Sequence, residues 1–495
     1  MRIVFKVILI AILFQIFGCE SFWQKKAPDP NILLILADDL GYGDLRSLNP
    51  ESLVPTPNLD RLASQSMQFT NAYCPVSVCS PTRYALMTGR YPWRSWRKTG
   101  VMRNYERSMI DDDIITLPEM LQEAGYKTVG LGKWHLGTQF PTLDGEKPAG
   151  YGKFRADDNG ANIDLHGRVW DGPLDHGFDY WVGFSCASET WILENKDIYG
   201  ALGHDLYTIE ATPNKEDVEV IPLEDYLPFI TDHTVKFLKT YKNTFREKPF
   251  FLYYAPYVPH IPLAVEQKFR GSTQAGSYGD YVHELDFYIG KVLDQLKASG
   301  HAENTIVIFA SDNGSQFLLT SPELDQYGVS NSPQDILQVD TLQGHRPNGQ
   351  LRGTKWSVYE GGVRTPLLVR WPGHVKEGIK NHEVIGLIDL IATISDISSD
   401  IQAPISAIDS RSFYGLLSGE EDQGRQQIIV QSSGKDFGLR SGEWKYIFKS
   451  NSQISELYNL IEDPGESNNI INLHPEIARK MHNELMSAIQ QEMGL

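Results

Sequence analysis

Asn31-Ile-Leu-Leu-Ile-Leu-Ala37, followed at once by Asp38-Asp39, is the stretch on which the fold turns. A continuous apolar run without alternation reads as a strand covered on both faces, the mark of a parallel sheet inside an α/β protein. Two acids stand where that strand must end. The pattern recurs along the chain. Thr305-Ile-Val-Ile-Phe-Ala310 runs through Ser311 into Asp312-Asn313-Gly314, Tyr126-Lys-Thr-Val-Gly-Leu131 leads to Lys133 and His135, and Phe250-Phe-Leu-Tyr-Tyr254 leads to His260 in Pro-His-Ile-Pro. In open α/β sheets the ligand crevice lies outside the carboxyl ends of the strands, so these four groups are expected to converge.

The converging set is chemically coherent. Asp38, Asp39, Asp312 and Asn313 offer only oxygen, which suits calcium or magnesium and argues against zinc, with its preference for nitrogen and sulfur. Calcium fits the carboxylate and amide set better. Without a cation, three carboxylates packed together would repel one another. Arg83, Lys133, His135, His260 and Lys355 complete a cationic shell that makes sense around a compact oxyanion ester. Taken singly, each reads equally as a loop acid, a packed histidine or a solvated lysine. The repetition at strand ends carries the site.

Cys79-Ser80-Pro81-Thr82-Arg83 adds a nucleophile position. A lone thiol followed by this Pro and Arg marks a cysteine read by another enzyme, and so a catalytic residue made after translation. On these five residues alone, a small buried cysteine at a helix start remains the alternative.

Together these blocks resemble the formylglycine-dependent sulfatases, the arylsulfatase family of the alkaline phosphatase superfamily. The resemblance rests on the Cys79 motif and on Ala37-Asp-Asp-Leu-Gly-Tyr-Gly-Asp44, Thr56-Pro-Asn-Leu-Asp60, Thr88-Gly-Arg90, Gly132-Lys-Trp-His-Leu-Gly137, Gly177-Phe-Asp179, Ser311-Asp-Asn-Gly314, Leu351-Arg-Gly-Thr-Lys355 and Glu360-Gly-Gly-Val-Arg364. Thr82 and Met87 depart from the commoner Ser and Leu, and neither touches Cys-x-Pro-x-Arg. The resemblance implies an α/β fold: a large mixed, mostly parallel sheet flanked by helices, alkaline phosphatase-like, with a smaller C-terminal antiparallel sheet plus helix. It implies that a maturation enzyme oxidises Cys79 to formylglycine, and that Asp38, Asp39, Asp312, Asn313 and residue 79 hold one Ca2+. Carried over position by position, Asp312 helps deprotonate the attacking diol hydroxyl. His260 and Lys355 serve the leaving oxygen, His135 assists collapse of the sulfated intermediate, Arg83 holds the diol and Lys133 the sulfate.

The implied reaction is hydrolysis of a sulfuric ester. A sulfated carbohydrate derived from a polysaccharide is the expected substrate, because the chain carries 10 tryptophans and a polar stretch between Gly137 and Asp175 with His166, Arg168 and Trp170. Sugars offer apolar faces to aromatic rings. Arg168 and Trp170 are expected substrate contacts, and His345, just before the Lys355 block, is expected to line the pocket. A phosphate or phosphonate monoester hydrolase of the same superfamily and a small aryl sulfate sulfatase are the alternatives.

Arg2 and Lys6 flank an apolar run from Val7 to Phe17, too short for a bilayer at about 20 residues but suited to a signal peptide. Gly18-Cys19 then resembles a bacterial lipoprotein cleavage site, with lipid on Cys19 as the membrane attachment and a periplasmic or outer-membrane-surface location. An ordinary signal peptide is the alternative. The expected organisation is a signal peptide at 1–19, a tether at 20–28, a catalytic domain at 29–410 and a C-terminal subdomain at 411–495. Within that subdomain, runs at Gln427–Val430, Gly438–Arg440 and Trp444–Phe448 read as a small antiparallel sheet closed by a helix from about Pro475. Of 4 cysteines, Cys74 and Cys186 are left for a disulfide that spacing alone does not establish. A net charge of -18 argues against a nucleic-acid partner. Arg90, Arg94, Arg97 and Lys98 read either as a local basic patch for an anionic substrate or as an ordinary solvated helix end.

Overall fold

The computed structural model describes residues 29–154, 156–186, 189, 191–203, 210–245, 248–317, 342–398 and 400–493. The expected signal peptide with Cys19 and the tether lie outside these residues. Among those described, no helix is long and apolar enough to cross a membrane.

Eleven strands form one sheet: β1 (Asn31–Ala37), β2 (Met67–Tyr73), β3 (Lys127–Gly132), β4 (Tyr180–Phe184), β5 (Trp191–Glu194), β6 (Asp197–Leu202), β7 (Glu219–Ile221), β8 (Phe250–Ala255), β9 (Thr305–Ser311), β10 (Leu367–Arg370) and β11 (Ile379–Gly386). Their spatial order is β11-β2-β10-β9-β1-β8-β3-β4-β5-β6-β7. The four strands marked by polar ends are therefore neighbours, β9-β1-β8-β3, and all run parallel. Ala37 pairs with Ser311 and Gly132 with Ala255, so their carboxyl ends lie at one level. The sheet is mixed because β10 runs against β2 and β9, and β5 against β4 and β6.

The run 31–37 is apolar because both its faces are covered. Ile32, Leu34 and Leu36 pack on one core with Tyr84, Leu86, Met120 and Leu390; Leu33, Ile35 and Ala37 pack on a second with Tyr226, Ile230, Tyr278 and Val282. Helices α1 (Pro57–Ser64), α2 (Cys79–Thr88), α3 (Leu117–Glu123), α4 (Leu223–Phe245), α5 (Gly276–Ala298), α6 (Glu360–Val363) and α7 (Leu390–Ser395) flank this sheet. At about 1.5–3 kcal/mol for each large aliphatic side chain fully buried, this double coverage is the main driving force for the layer. Helix α3 starts where Thr116 Oγ1 accepts from Glu119 N at 3.3 Å and Glu119 Oε2 accepts from Thr116 N at 2.7 Å, a reciprocal cap.

A second sheet, β12 (Gln427–Gln431), β13 (Phe437–Ser441), β14 (Trp444–Lys449) and β15 (Ile454–Asn459), is antiparallel and ordered in sequence. It follows α8 (Tyr414–Ser418) and is covered by α9 (Pro475–Met493). Ala478, Met481, Leu485 and Ile489, spaced by three and four, form the stripe that meets Phe437, Leu439, Tyr446 and Leu457. The two sheets are joined by a buried ionic knot. Lys445 on β14 bonds Glu360 and Glu466 at 2.9 Å each, while Arg364 Nε lies 2.9 Å from Glu360.

Candidate active site

Asp38 and Asp39 follow β1, Asp312 and Asn313 follow β9, Lys133 and His135 follow β3, and His260 lies beyond β8. Cys79 opens α2, so its thiol stands at a helix amino terminus above the strand ends. Its Sγ is 3.7 Å from Asp38 Oδ1. Arg83, one turn on, is fully buried and spends its fork on three elements. Nε and one terminal nitrogen donate to Asp312 Oδ2 at 3.0 and 2.9 Å, and the other donates to Lys133 O at 2.9 Å and Tyr253 Oη at 3.1 Å. Lys133 Nζ donates to Asp38 Oδ2 at 2.6 Å, and Lys355 Nζ to Asp39 Oδ2 at 2.7 Å. All six residues implied as catalytic are thus on one cluster of carboxylates or, for His135, on the strand end beside it.

The two histidines have assigned tautomers. His260 Nδ1 donates to Ile261 O at 2.6 Å, which leaves Nε2 with a lone pair, 3.7 Å from Asp39 Oδ2. Its ring stacks on Tyr257 at 4.6 Å, and Lys133 Nζ lies 5.2 Å from the centroid of that same tyrosine. His135 Nε2 donates to Met102 O at 3.2 Å, and its buried Nδ1 meets no described partner. Tyr253 and Tyr257 escaped sequence reasoning because both read as bulk of an apolar strand and its exit.

Burial and charge set the protonation states. Burial works against charge on Asp38, yet Lys133, His260, Arg83 and Lys355 hold its carboxyl well below the usual range. Burial pushes Asp39 up, partly offset by Lys355, and pushes Asp312 up to about 7 with help from Asp38. Burial would strip Lys355 of its proton, but Asp39 keeps it charged. Burial, reinforced by neighbouring cations, drives His135 and His260 well below the ordinary histidine value. The Cys79 thiol is pushed up to about 12, chiefly by burial, so near neutrality it is protonated and a poor nucleophile.

The oxygens of Asp38, Asp39 and Asn313 fit a hard cation, while the tightest ligand group also holds sulfur and nitrogen and lacks Asp312. Asp38, Asp39, Cys79 and His260 each place one ligand atom within 4.8 Å of the others. Asn313 gives its amide N–H to Asp39 Oδ1 at 2.6 Å and to Gly314 O, which leaves Asn313 Oδ1 buried with no hydrogen-bond partner among the described residues. An orphaned carbonyl oxygen beside buried carboxylates is what a calcium ion would satisfy. Asp312 is turned toward Arg83 through Oδ2, and its Oδ1 accepts from Asp39 N at 3.2 Å.

His345, Arg168 and Trp170 depart from their expected places, and two readings left open, the basic cluster and the Cys74–Cys186 pair, have structural answers. His345 does not line a pocket: it is buried, its Nε2 is 2.7 Å from Asp44 Oδ1 and its Nδ1 accepts from Leu53 N, so both ring nitrogens serve packing. The basic cluster is consumed internally. Arg94 bonds Asp409 at 2.8 Å, Arg97 bonds Glu106, Lys98 donates to Glu492 O, and Arg90 donates to Ser406 O at 2.9 Å. Cys74 and Cys186 are not joined; their thiols point to Val363 O and Met102 O. Arg168 and Trp170 stand on the surface, the former 3.5 Å from Asp197 and the latter 45 % exposed, outside the cluster around Cys79.

The fold and this site define a hydrolase of oxyanion esters. The family description "Sulfatase" matches residues 30–401, and "N-sulphoglucosamine sulphohydrolase, C-terminal" matches residues 354–491. The chain is 31 % identical to an N-acetylgalactosamine-6-O-sulfatase of Bacteroides thetaiotaomicron over 96 % of each chain. It is 30 % identical to human arylsulfatase A over 90 % of this chain and 84 % of that one. A solved structure, described under the metabolism of multiple glycosaminoglycans by Bacteroides thetaiotaomicron, superposes with a TM-score of 0.76 and 29 % identity, covering 93 % of this chain and 99 % of that chain. The chain belongs to the sulfatase family and is a hydrolase.

Proposed function

We propose that this enzyme removes sulfate from a carbohydrate sulfate ester, with residue 79 acting as formylglycine and with a calcium ion at Asp38, Asp39, Asp312, Asn313 and residue 79. The observation that carries the reading is Cys79 itself: a thiol at a helix start, 3.7 Å from Asp38 Oδ1, whose burial pushes it up to about 12 and so works against a thiolate nucleophile. Similarity to an N-acetylgalactosamine-6-O-sulfatase over nearly the full length supports a sugar substrate. N-acetylgalactosamine 6-sulfate is the first compound to test.

Once oxidised, residue 79 supplies an aldehyde whose hydrate offers a hydroxyl to sulfur. Calcium, when bound, would add positive charge beside the ester oxygens. Asp312, fixed by the Arg83 fork, takes the proton of the attacking hydroxyl. Lys133 binds the sulfate oxygens, a contact that strengthens as charge builds in the transition state, while Arg83 holds the nucleophile side through Asp312. On the other side of Asp39, Lys355 and His260 face the departing alcohol oxygen, and the pair delivers its proton. His135 keeps a lone pair on Nδ1 and would accept a proton from the second hydroxyl of the hydrate.

Turnover of a panel of sulfated saccharides, each paired with its phosphate ester and with an aryl sulfate, tests the proposal. Sulfate release from at least one saccharide, exceeding phosphate release, is expected. Preference for the phosphate ester or for the aryl sulfate alone would replace this reading with one of its alternatives. Export with lipid on Cys19 is proposed on the strength of Arg2, Lys6 and the run to Phe17. An N-terminus found at another residue would overturn it.

A further inference from the structure

Trp356 directly follows Lys355, and no role above uses it. Its φ is 73°, in the left-handed region that L residues avoid at a cost of roughly 1–2 kcal/mol. Two backbone bonds hold it there. Its N–H donates to Ser77 O at 2.7 Å, two residues before Cys79, and its carbonyl accepts from Ser433 N at 3.1 Å, beyond β12. The indole is half-buried, and the Lys355 ammonium lies 5.4 Å from the ring centroid. Its N–H donates to no described residue. A bulky side chain kept in a strained backbone state persists only where the surroundings over-determine it, and such positions gather at ligand clamps.

The position of the ring says what it meets. Lys355 shares Asp39 with His260, which is the side of the site where the alcohol half of the ester departs. A flat, partly exposed indole whose N–H no described residue takes suits the C–H face and a hydroxyl of a pyranose ring. We propose that Trp356 is the platform on which the sulfated sugar stacks, a specificity-determining residue for carbohydrate leaving groups. This rests on the reading of the site as a carbohydrate sulfatase.

The test uses the matured enzyme. Trp356→Gly removes the ring and relieves the left-handed backbone, Trp356→Leu keeps bulk without a flat face, and Trp356→Phe keeps a face. With N-acetylgalactosamine 6-sulfate, or whichever saccharide the wild type prefers, Gly and Leu variants are expected to raise KM about tenfold with kcat nearly kept, and Phe to stay within about threefold. Inhibition by inorganic sulfate, which needs only the anion pocket, is expected to stay unchanged in all three. Unchanged KM in the Gly and Leu variants would overturn the platform. So would an equal loss of kcat on every ester, which would make the ring a support for Lys355 alone. If the wild type hydrolyses aryl sulfates but no saccharide, the carbohydrate reading fails, and the platform with it.

Discussion

Arg83 shows how much of the site one side chain organises. Its fork makes four hydrogen bonds, to Asp312, the Lys133 carbonyl and Tyr253, and a lysine offers no such fork. Arg83→Lys is therefore expected to lower kcat/KM by at least about 100-fold although the charge is kept, measured on the substrate the wild type prefers. A loss under threefold would show that charge alone matters there. Arg83, Asp38, Asp39 and Asp312 were legible in the sequence because each sits at a fixed offset from an apolar run or from Cys79. His345 was misread because its partner, Asp44, lies 301 positions away. Trp356 was missed because a positive φ leaves no trace in residue type when the residue is not glycine.

Among the elements, α6 links the second sheet to the Asn313 loop. Gly314 N donates to Gly362 O at 3.0 Å, and a Cβ at Gly314 would lie 1.8 Å from Gly361 O, so only glycine lets the Asn313 loop approach this helix. Lys445 holds α6 from the other sheet. Lys445→Met leaves Glu360 and Glu466 buried without their cation, and is expected to cost about 3–5 kcal/mol in unfolding free energy by urea titration. A change below about 1 kcal/mol would mean that the knot is not structural. On α5, Glu284 is buried with Oε1 unpartnered among the described residues, and burial pushes it up to about 8 from an ordinary 4.5. Between those values the folded chain binds a proton that the unfolded chain has lost. The contribution of Glu284 is thus complete below about pH 4.5 and gone above about pH 8, so stability falls as pH rises through that window. Glu284→Gln is expected to flatten the fall in thermal midpoint between pH 5 and pH 8; an unaltered profile would refute the assignment. The β1, β3, β8 and β9 strands and α9 were legible from apolar runs and a three-four stripe. Strands β5, β6 and β10 were not, because strands of four to six residues are fixed by their partners more than by their own pattern.

For the whole molecule, the site is assembled from residues between Asp38 and Lys355, so a cation held among its carboxylates would tie together strands far apart in sequence. Calcium is expected to raise the thermal midpoint of the chelated protein by a few degrees, and Asn313→Ala to blunt that rise. No shift with calcium in the wild type would remove the ion from the account. The acidic total charge, which sat awkwardly with an anionic substrate, is a surface property; the site itself matches Arg83, Lys133 and Lys355 against Asp38, Asp39 and Asp312. That balance was invisible in composition, since it depends on which charges the strand ends gather. The central claim is that residue 79 works as an aldehyde hydrate and never as a thiol. Mass spectrometry of the peptide carrying residue 79, from protein with measured sulfatase turnover, tests it most directly. The account predicts formylglycine or its hydrate in an amount that tracks specific activity, and fully active enzyme carrying only unmodified Cys79 would contradict it.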